Sequence, residues 1–152
     1  MTFYQHTIAS GITSLVFMAI SRSSMGAFAC FISGIFLDLD HLIDYILRKK
    51  RICFRLSELE NFCTNEKEGK LYLFLHNYEL LVVLWVLTFL FFNHPIWVGL
   101  LFGMSVHLLL DQIYNQVHPL AYFWFYRAKA GFPQKIFFKE DYIKDVSGRE
   151  NG

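Results

Sequence analysis

The chain has 152 residues, of which 55% are hydrophobic, and its formal net charge is +1. A mean hydropathy of +0.35 is too apolar for an ordinary soluble domain of this length, so the composition indicates a single domain embedded in a membrane. The near-zero net charge argues against a nucleic-acid partner, and the three cysteines lack the paired spacing of a thiolate metal site.

The first part of the chain predicts two apolar helices. Residues 7–20 form a short apolar run that contains polar residues, and a mildly polar stripe descends from His6 along one helical face. We therefore expect this helix to pack against other helices. A polar turn follows at 21–24, and Ser24 is the expected cap of a second helix over 25–47.

The rest of the chain predicts two more helices between polar segments. Residues 48–70 are expected to be a solvated connection, and the apolar run 71–92 is long enough to cross a hydrocarbon core of about 30 Å. A fourth helix is predicted over 95–115, and the aromatic band 120–127 suits the headgroup layer of a bilayer. The predicted domains are a membrane-embedded helical domain and a polar tail without evident structure, with boundaries 1–130 and 131–152.

Four side chains that can carry chemistry lie at the end of the second apolar run: Asp38, Asp40, His41 and Asp44. At helical spacing Asp40, His41 and Asp44 share one face, with Asp38 at its edge. Carboxylates clustered beside hydrocarbon repel one another and lose hydration, so a positive charge must lie among them, and the motif contains no Lys or Arg. A metal site is the first interpretation, and a solvated helix end that faces the following basic run is the alternative.

Three further groups of potential ligands lie far from this motif in the sequence. His76 and Glu79 lie one turn apart at the start of the third helix, and His107 and Asp111 lie one turn apart near the end of the fourth. His6 precedes the first apolar run. Each group also has a simpler interpretation. His76 and Glu79 can be an interfacial histidine and a solvated glutamate, and His107 and Asp111 can be a hydrogen-bonded pair that joins helices. His6 can be an ordinary histidine near the terminus.

The predicted topology brings all these groups to one side of the membrane. With four crossings, the start of the first helix, the end of the second, the start of the third and the end of the fourth lie on the same side. Every acidic residue, and every basic residue except Arg22, is assigned to that side, and the positive-inside rule makes it cytoplasmic. The sequence therefore predicts an all-α bundle of about four transmembrane helices with a metal-site cluster at its cytoplasmic ends. A soluble helical domain with an ordinary apolar core is the alternative.

The size of the predicted cluster indicates more than one metal ion. Four histidines and four or five carboxylates exceed the ligand set of one tetrahedral zinc, so two or more divalent ions bridged by a carboxylate are expected. Mixed imidazole and carboxylate ligands suit zinc, manganese or iron better than calcium, and zinc is the first choice.

The order of these motifs resembles a known family. An early His, an Asp-x-Asp-His at the end of an apolar helix, a His near the start of the next and a His-x-x-x-Asp in a final apolar helix are similar to the YdjM-like bacterial membrane-bound metal-dependent hydrolases. The resemblance covers residues 6–127 and implies an integral protein of the bacterial inner membrane, with a ligand pattern distantly similar to that of zinc-dependent phospholipase C. The implied metal ligands are His6, Asp38, Asp40, His41, His76, His107 and Asp111.

Two positions depart from that family's pattern. The family tends to have Pro before the Asp-x-Asp-His, where this chain has Leu37. Its His-Arg-Gly-x-Thr-His-Ser segment is matched here by His-Asn-Tyr-Glu-Leu from His76 onward, so that one His is absent. Glu79 is then expected either to replace the lost ligand or to act as a base.

Two classes of function follow from such a site. In the first, a metal-bound water attacks an ester or phosphoester such as a lipid headgroup, and Glu79 or Asp44 serves as general base. In the second, the cluster binds or transports metal ions or protons without chemistry. Transport sites are expected near the bilayer midplane, whereas these ligands crowd at one end, so an enzyme or a static site is favoured. A cluster that only holds the helices together is a third interpretation.

Overall fold

The part of the chain that the structure describes is all-helical. The computed structural model describes residues 3–52, 55–65, 69–115 and 117–137, and these residues contain no β-strand. The helices are α1 (Phe3–Ser21), α2 (Ser24–Phe36), α3 (Leu39–Lys49), α4 (Leu56–Asn65), α5 (Tyr78–Phe91), α6 (Pro95–Tyr114) and α7 (Trp124–Ala130), followed by a 3-10 helix at Gln134–Phe137. The predicted all-α class is confirmed.

Two helical stretches are long and apolar enough to cross a membrane. One is Ser24–Lys49, which combines α2 and α3, and the other is Pro95–Tyr114, which is α6. α5 is apolar but shorter, because residues 71–77 at the start of the predicted third crossing are not helical. Within the described ranges, two spans are therefore supported by length and composition, and the predicted four crossings are not confirmed.

The predicted second helix over 25–47 is divided into α2 and α3 by a short turn. The cap of α2 is Ser23 rather than the expected Ser24, and its side chain accepts the backbone N–H three residues further on at 3.1 Å. Asp38 occupies the N-cap position of α3 but makes no side-chain capping bond. Since a capping carboxylate would normally accept a backbone N–H of its own helix, Asp38 is used elsewhere.

Small residues let α2 pack directly against α6. A Cβ atom on Gly99 would lie 2.1 Å from the carbonyl oxygen of Gly26, and a Cβ atom on Gly103 would lie 2.2 Å from that of Cys30. Two helix backbones approach this closely only where no side chain separates them. Because α1 packs against both helices, these three form a core that brings together the start of α1 and the ends of α2 and α6.

α5 packs beside α6, whereas the shorter segments outside the three-helix core pack over one of its ends. Gln134 joins two of them, because its backbone N–H donates to the Gly69 carbonyl at 2.9 Å and its side-chain amide donates to the Phe62 carbonyl at 3.1 Å. Phe62, in the connection predicted to be solvated, is buried. Residues 131–137 of the predicted tail fold back onto this layer, whereas 138–152 lie outside the described residues. The apolar side chains of the layer include Tyr45, Leu71, Leu73, Val117, Ala121, Tyr122 and Ile136.

The close contact of α2 with α6 predicts that Gly103→Ala destabilises the protein. The added methyl group would force the two helices apart, and overpacking of this kind costs about 1–3 kcal/mol or more. Gly11→Ala in α1 is the matched control, since its Cβ would meet only the Phe31 ring at 4.0 Å. Alanine also favours helix over glycine by about 0.5–1 kcal/mol. We expect thermal unfolding in detergent to show a lower midpoint for Gly103→Ala than for Gly11→Ala, and the reverse order would contradict the described packing.

Candidate metal centre

Five of the predicted ligands converge at the covered end of the three-helix core. They form two groups that share His107: His6, His107 and Asp111 in one, and Asp38, His76 and His107 in the other. Within each group, the candidate ligand atoms all lie within 4.8 Å of one another. We call these five residues the His–Asp cluster. Their convergence from α1, α6, the turn before α3 and the segment 71–77 agrees with the predicted meeting of distant segments.

Asp111 lies at the centre of the His–Asp cluster. Its Oδ1 atom is 3.0 Å from Nε2 of His6, and its Oδ2 atom is 3.4 Å from Nε2 of His107 and 3.6 Å from Nε2 of His76. The side-chain amide of Asn115 donates to Oδ1 at 2.7 Å. The two oxygens of Asp111 therefore face different histidines.

The rings of His76 and His107 are oriented by bonds at their Nδ1 atoms. Nδ1 of His107 lies 2.7 Å from the carbonyl oxygen of Gly34, which can only accept a hydrogen bond. Nδ1 of His76 lies 3.3 Å from Oδ2 of Asp40. With the proton on Nδ1, each neutral ring presents the Nε2 lone pair to the cluster, as metal-binding histidines do when a neighbouring acceptor orients them.

The acceptor atoms that meet in the cluster are buried and lack ordinary hydrogen bonds. Nε2 of His76, Nε2 of His107 and Oδ2 of Asp38 have no hydrogen-bond partner in the part of the chain that the structure describes. His76 is 0% exposed and His107 is 2% exposed. A buried polar atom without a partner costs about 1–3 kcal/mol, and a bound ligand in this place would satisfy several of them at once.

The spacing of these atoms fits a divalent metal ion. Ligands at about 2.0–2.1 Å from a tetrahedral ion lie about 3.3–3.4 Å from one another. Nε2 of His107 lies 3.4 Å from Oδ1 of Asp38 and 3.4 Å from Oδ2 of Asp111. Imidazole nitrogen and carboxylate oxygen together are ligands for zinc, manganese or iron. The buried His and Asp groups can therefore hold a metal ion.

Asp40 and His41, also predicted as ligands, belong to neither of the two groups. Oδ2 of Asp40 accepts the backbone N–H groups of Leu75 at 2.6 Å and His76 at 3.2 Å, and the same atom faces Nδ1 of His76. The His41 ring lies beside that of His76, with a centroid separation of 5.0 Å. These contacts place Asp40 behind the His76 ring, where it orients a ligand.

The two predicted general bases, Asp44 and Glu79, have both carboxylate oxygens bonded to backbone amides. Asp44 accepts the N–H groups of Tyr72 at 3.1 Å and Leu73 at 2.7 Å. Glu79 accepts those of Trp124 at 2.9 Å and Phe125 at 3.2 Å, at the start of α7. Such bonds hold a carboxylate in place, so these contacts support structural roles and give no support to the predicted catalytic ones.

Arg127 is a residue of this region whose role the sequence pattern did not reveal. It is 0% exposed, and its guanidinium donates to the backbone carbonyls of Tyr72 at 2.5 Å, Leu73 at 3.0 Å and His76 at 3.1 Å. Burial lowers the pKa of Arg127, while the charge of Asp40, with other nearby carboxylates, acts in the opposite direction. In the sequence this residue closes an aromatic band, which is also typical of a lipid-facing cation, so no local signal distinguishes the buried role.

Tyr122 lies behind the cluster, with its ring centroid 6.2 Å from that of His76. Burial raises the pKa of Tyr122 well above its ordinary value, and the negative charge of Asp111 adds to the shift. Its phenol is therefore held in the neutral form next to the carboxylates of the cluster.

Comparison with known protein families, curated proteins and solved structures gives no match for this chain. The resemblance to the YdjM-like hydrolases therefore stays a prediction. Function is inferred from the geometry of the His–Asp cluster.

The contacts of Glu79 predict a graded effect on stability. Glu79→Ala removes the acceptor of two amides at the start of α7, and we expect the free energy of unfolding to fall by about 1–2 kcal/mol. Glu79→Gln retains one acceptor oxygen and should fall between the alanine variant and the wild type. Chemical denaturation in detergent micelles measures the series, and a Glu79→Ala variant as stable as the wild type would contradict the described contacts.

Proposed function

We propose that the chain is a membrane-bound, metal-dependent hydrolase of the YdjM-like type that cleaves a phosphoester or ester, with a lipid headgroup as the proposed substrate. The observation that carries the proposal is the pair of buried Nε2 atoms on His76 and His107, which face the carboxylates of Asp38 and Asp111 without hydrogen bonds. When bound, a divalent ion supplies a water of lowered pKa and a positive charge for the substrate oxygens.

The position of Asp111 supports two ions rather than one. Its two oxygens face His6 on one side and His76 and His107 on the other, and a carboxylate placed in this way can bridge two cations. His107 belongs to both groups of candidate ligands, but its Nε2 lone pair can bind only one ion, so the case for two ions rests on Asp111. Zinc is the proposed metal because its ligands are imidazole and carboxylate at these spacings, and manganese and iron use the same ligand types.

Asp38 marks the side from which a substrate approaches. Its side chain is 17% exposed, whereas the side chains of His6, His76, His107 and Asp111 are between 0% and 4% exposed. The Oδ2 atom of Asp38 accepts no hydrogen bond among the described residues. Asp38 is therefore the candidate ligand nearest to solvent, and we assign to it the exchange of a proton with water or with a leaving group.

The outer surface supports a membrane location. Large apolar side chains are exposed on the lateral faces of the helices, with Leu15 of α1 68% exposed and Phe89 of α5 81% exposed. Water would disfavour so many exposed large apolar side chains, whereas lipid would not. Residues 48–51 are all basic and span the last turn of α3 and the two residues after it, so we propose that the end of the protein that carries α3 faces the cytoplasm of a bacterium. The same positive charges would attract an anionic phosphoester.

A non-catalytic metal site is the second candidate function, and the deep burial of the cluster favours it. His76, His107 and Asp111 are almost inaccessible, as the ligands of a closed structural site are. Such a site would join α1, α6 and the segments before α3 and α5, or it would bind or pass metal ions or protons. Binding and hydrolysis must therefore be measured separately.

The proposed site predicts that protein purified in detergent holds divalent metal and that His107→Ala loses most of it, because His107 belongs to both ligand groups. His94→Asn is the matched control. It removes a histidine at the far end of α6, where the His94 ring caps the helix by accepting the Ile96 N–H, and asparagine can cap in the same way. Elemental analysis by mass spectrometry measures the content. A wild-type protein without metal, or equal metal in His107→Ala, would remove the proposal.

The proposed hydrolase activity predicts that the zinc-loaded protein hydrolyses bis(p-nitrophenyl) phosphate. We expect a strong chelator to abolish the reaction. At matched zinc content, Asp38→Asn should slow it by about 100-fold or more, because the amide cannot accept a proton. His94→Asn should retain the full rate. Metal binding without hydrolysis of this diester, of carboxylic esters or of phospholipid vesicles would favour the static or transport site instead.

A further inference from the structure

The segment 71–77 carries His76 to the cluster without the support of a helix or a strand. Leu73 within it has a φ of +43°, in the left-handed region that a branched side chain rarely adopts. Leu73 is also 1% exposed, so this conformation is enclosed by protein. A strained, irregular segment holds a ligand in one place only if its surroundings determine its backbone.

Two carboxylates of α3 hold this segment from one side. Asp44 accepts the backbone N–H groups of Tyr72 and Leu73. Asp40 accepts those of Leu75 and His76. The four donor–acceptor distances lie between 2.6 and 3.2 Å. Asp40 and Asp44 are one helical turn apart, so their spacing matches the advance of the segment along α3.

A guanidinium from α7 binds the carbonyl groups of the same segment. Arg127 donates to the carbonyls of Tyr72, Leu73 and His76, and its side chain also lies over the Phe137 ring at 5.9 Å. The planar guanidinium presents several N–H groups in a rigid fork, which a lysine ammonium does not reproduce. Arg127 thus bonds to carbonyls in a stretch whose amides are bonded to Asp40 and Asp44.

We propose that Arg127, Asp40 and Asp44 form a backbone clamp that positions the His76 ring for metal binding, with Arg127 as its central positioning residue. The geometry of the clamp is given by the hydrogen bonds described above. Its effect on metal binding rests on the proposed metal site. Asp40 connects the two, because the oxygen that accepts the His76 N–H also faces Nδ1 of the same ring. The clamp therefore sets both the place of His76 and the direction of its Nε2 lone pair.

A residue that positions His76 and a residue that only stabilises the fold predict different effects on metal binding. A clamp acts through His76, so its loss should weaken metal binding only while His76 is present. A merely structural residue would weaken binding by the same factor whether or not His76 is present. Loss of an orienting group typically costs 10–100-fold in metal affinity, as a rough guide.

The experiment compares Arg127→Lys with the wild type in full-length protein, in the presence of His76 and in a His76→Gln background. Lys129→Gln is the matched control, because Lys129 is an exposed residue of the same helix. Zinc affinity is measured by competition with a chromophoric chelator. The ring ¹⁵N resonances of His76 are recorded without metal and assigned by their absence in His76→Gln.

We expect Arg127→Lys to lower zinc affinity by about 10-fold or more and to disperse the His76 ring signals from a single Nδ1–H form. The same substitution should cause no further loss in the His76→Gln background, and Lys129→Gln should match the wild type in both readouts. The proposed clamp would be contradicted if Arg127→Lys lowered zinc affinity equally with His76 present and in His76→Gln. It would also be contradicted if the His76 signals of Arg127→Lys matched those of the wild type.

The two proposals fail in different ways. If the wild type binds no zinc while Arg127→Lys still disperses the His76 signals, the metal site is refuted and the clamp stands. If the wild type binds zinc and Arg127→Lys changes neither affinity nor signals, the clamp is refuted and the metal site stands. Should Arg127→Lys fail to fold, Asp44→Asn is read by the same criteria, because Asp44 bonds to the segment without facing the His76 ring.

Discussion

Buried acceptor atoms that face one another are stabilised when a positive charge lies between them, and the His–Asp cluster brings several such atoms together at one end of this protein. The Nε2 atoms of His76 and His107 face carboxylates of Asp38 and Asp111 at 3.4–3.6 Å, close together but without hydrogen bonds. A proton on one ring would satisfy one such pair. A divalent ion satisfies several at once and replaces the repulsion between the acids with attraction to a common charge.

Regular helix is interrupted at two places near the cluster, and each interruption brings a ligand to it. The turn between α2 and α3 places Asp38 at a helix start without using it as a cap, so its carboxylate is available to the cluster. The late start of α5 leaves 71–77 as an irregular segment that ends in His76. Its backbone groups are satisfied by charged side chains instead of helical bonds, which is why Asp40, Asp44 and Arg127 are buried there.

Helices α1 and α6 supply the rest of the cluster from a closely packed core. The backbones of α2 and α6 are in contact through Gly26 and Gly99, and α1 packs against both. His6, His107 and Asp111 therefore project from a rigid three-helix core, while the two irregular segments close over it. Electrostatic interactions are stronger in an apolar environment than in water. The contacts of Asp38 and Asp111 with the histidines therefore contribute more energy here than they would in water.

Local spacing was enough to predict the all-α class and the helical face shared by His107 and Asp111, because helical periodicity depends on nearby residues alone. The meeting of distant segments was predicted from a topology of four crossings, of which the described residues support two. Local spacing could not separate Asp38 from Asp40, which are two residues apart and chemically identical. That distinction arises because Asp38 turns toward His107, whereas Asp40 meets the backbone of a segment 35 residues away. The buried role of Arg127 likewise depends on carbonyls 51 to 55 residues away. Hydrogen bonds between side chains and an irregular backbone have no periodic pattern in the sequence. Only the folded chain therefore shows which residues are candidate ligands and which residues hold those ligands in place.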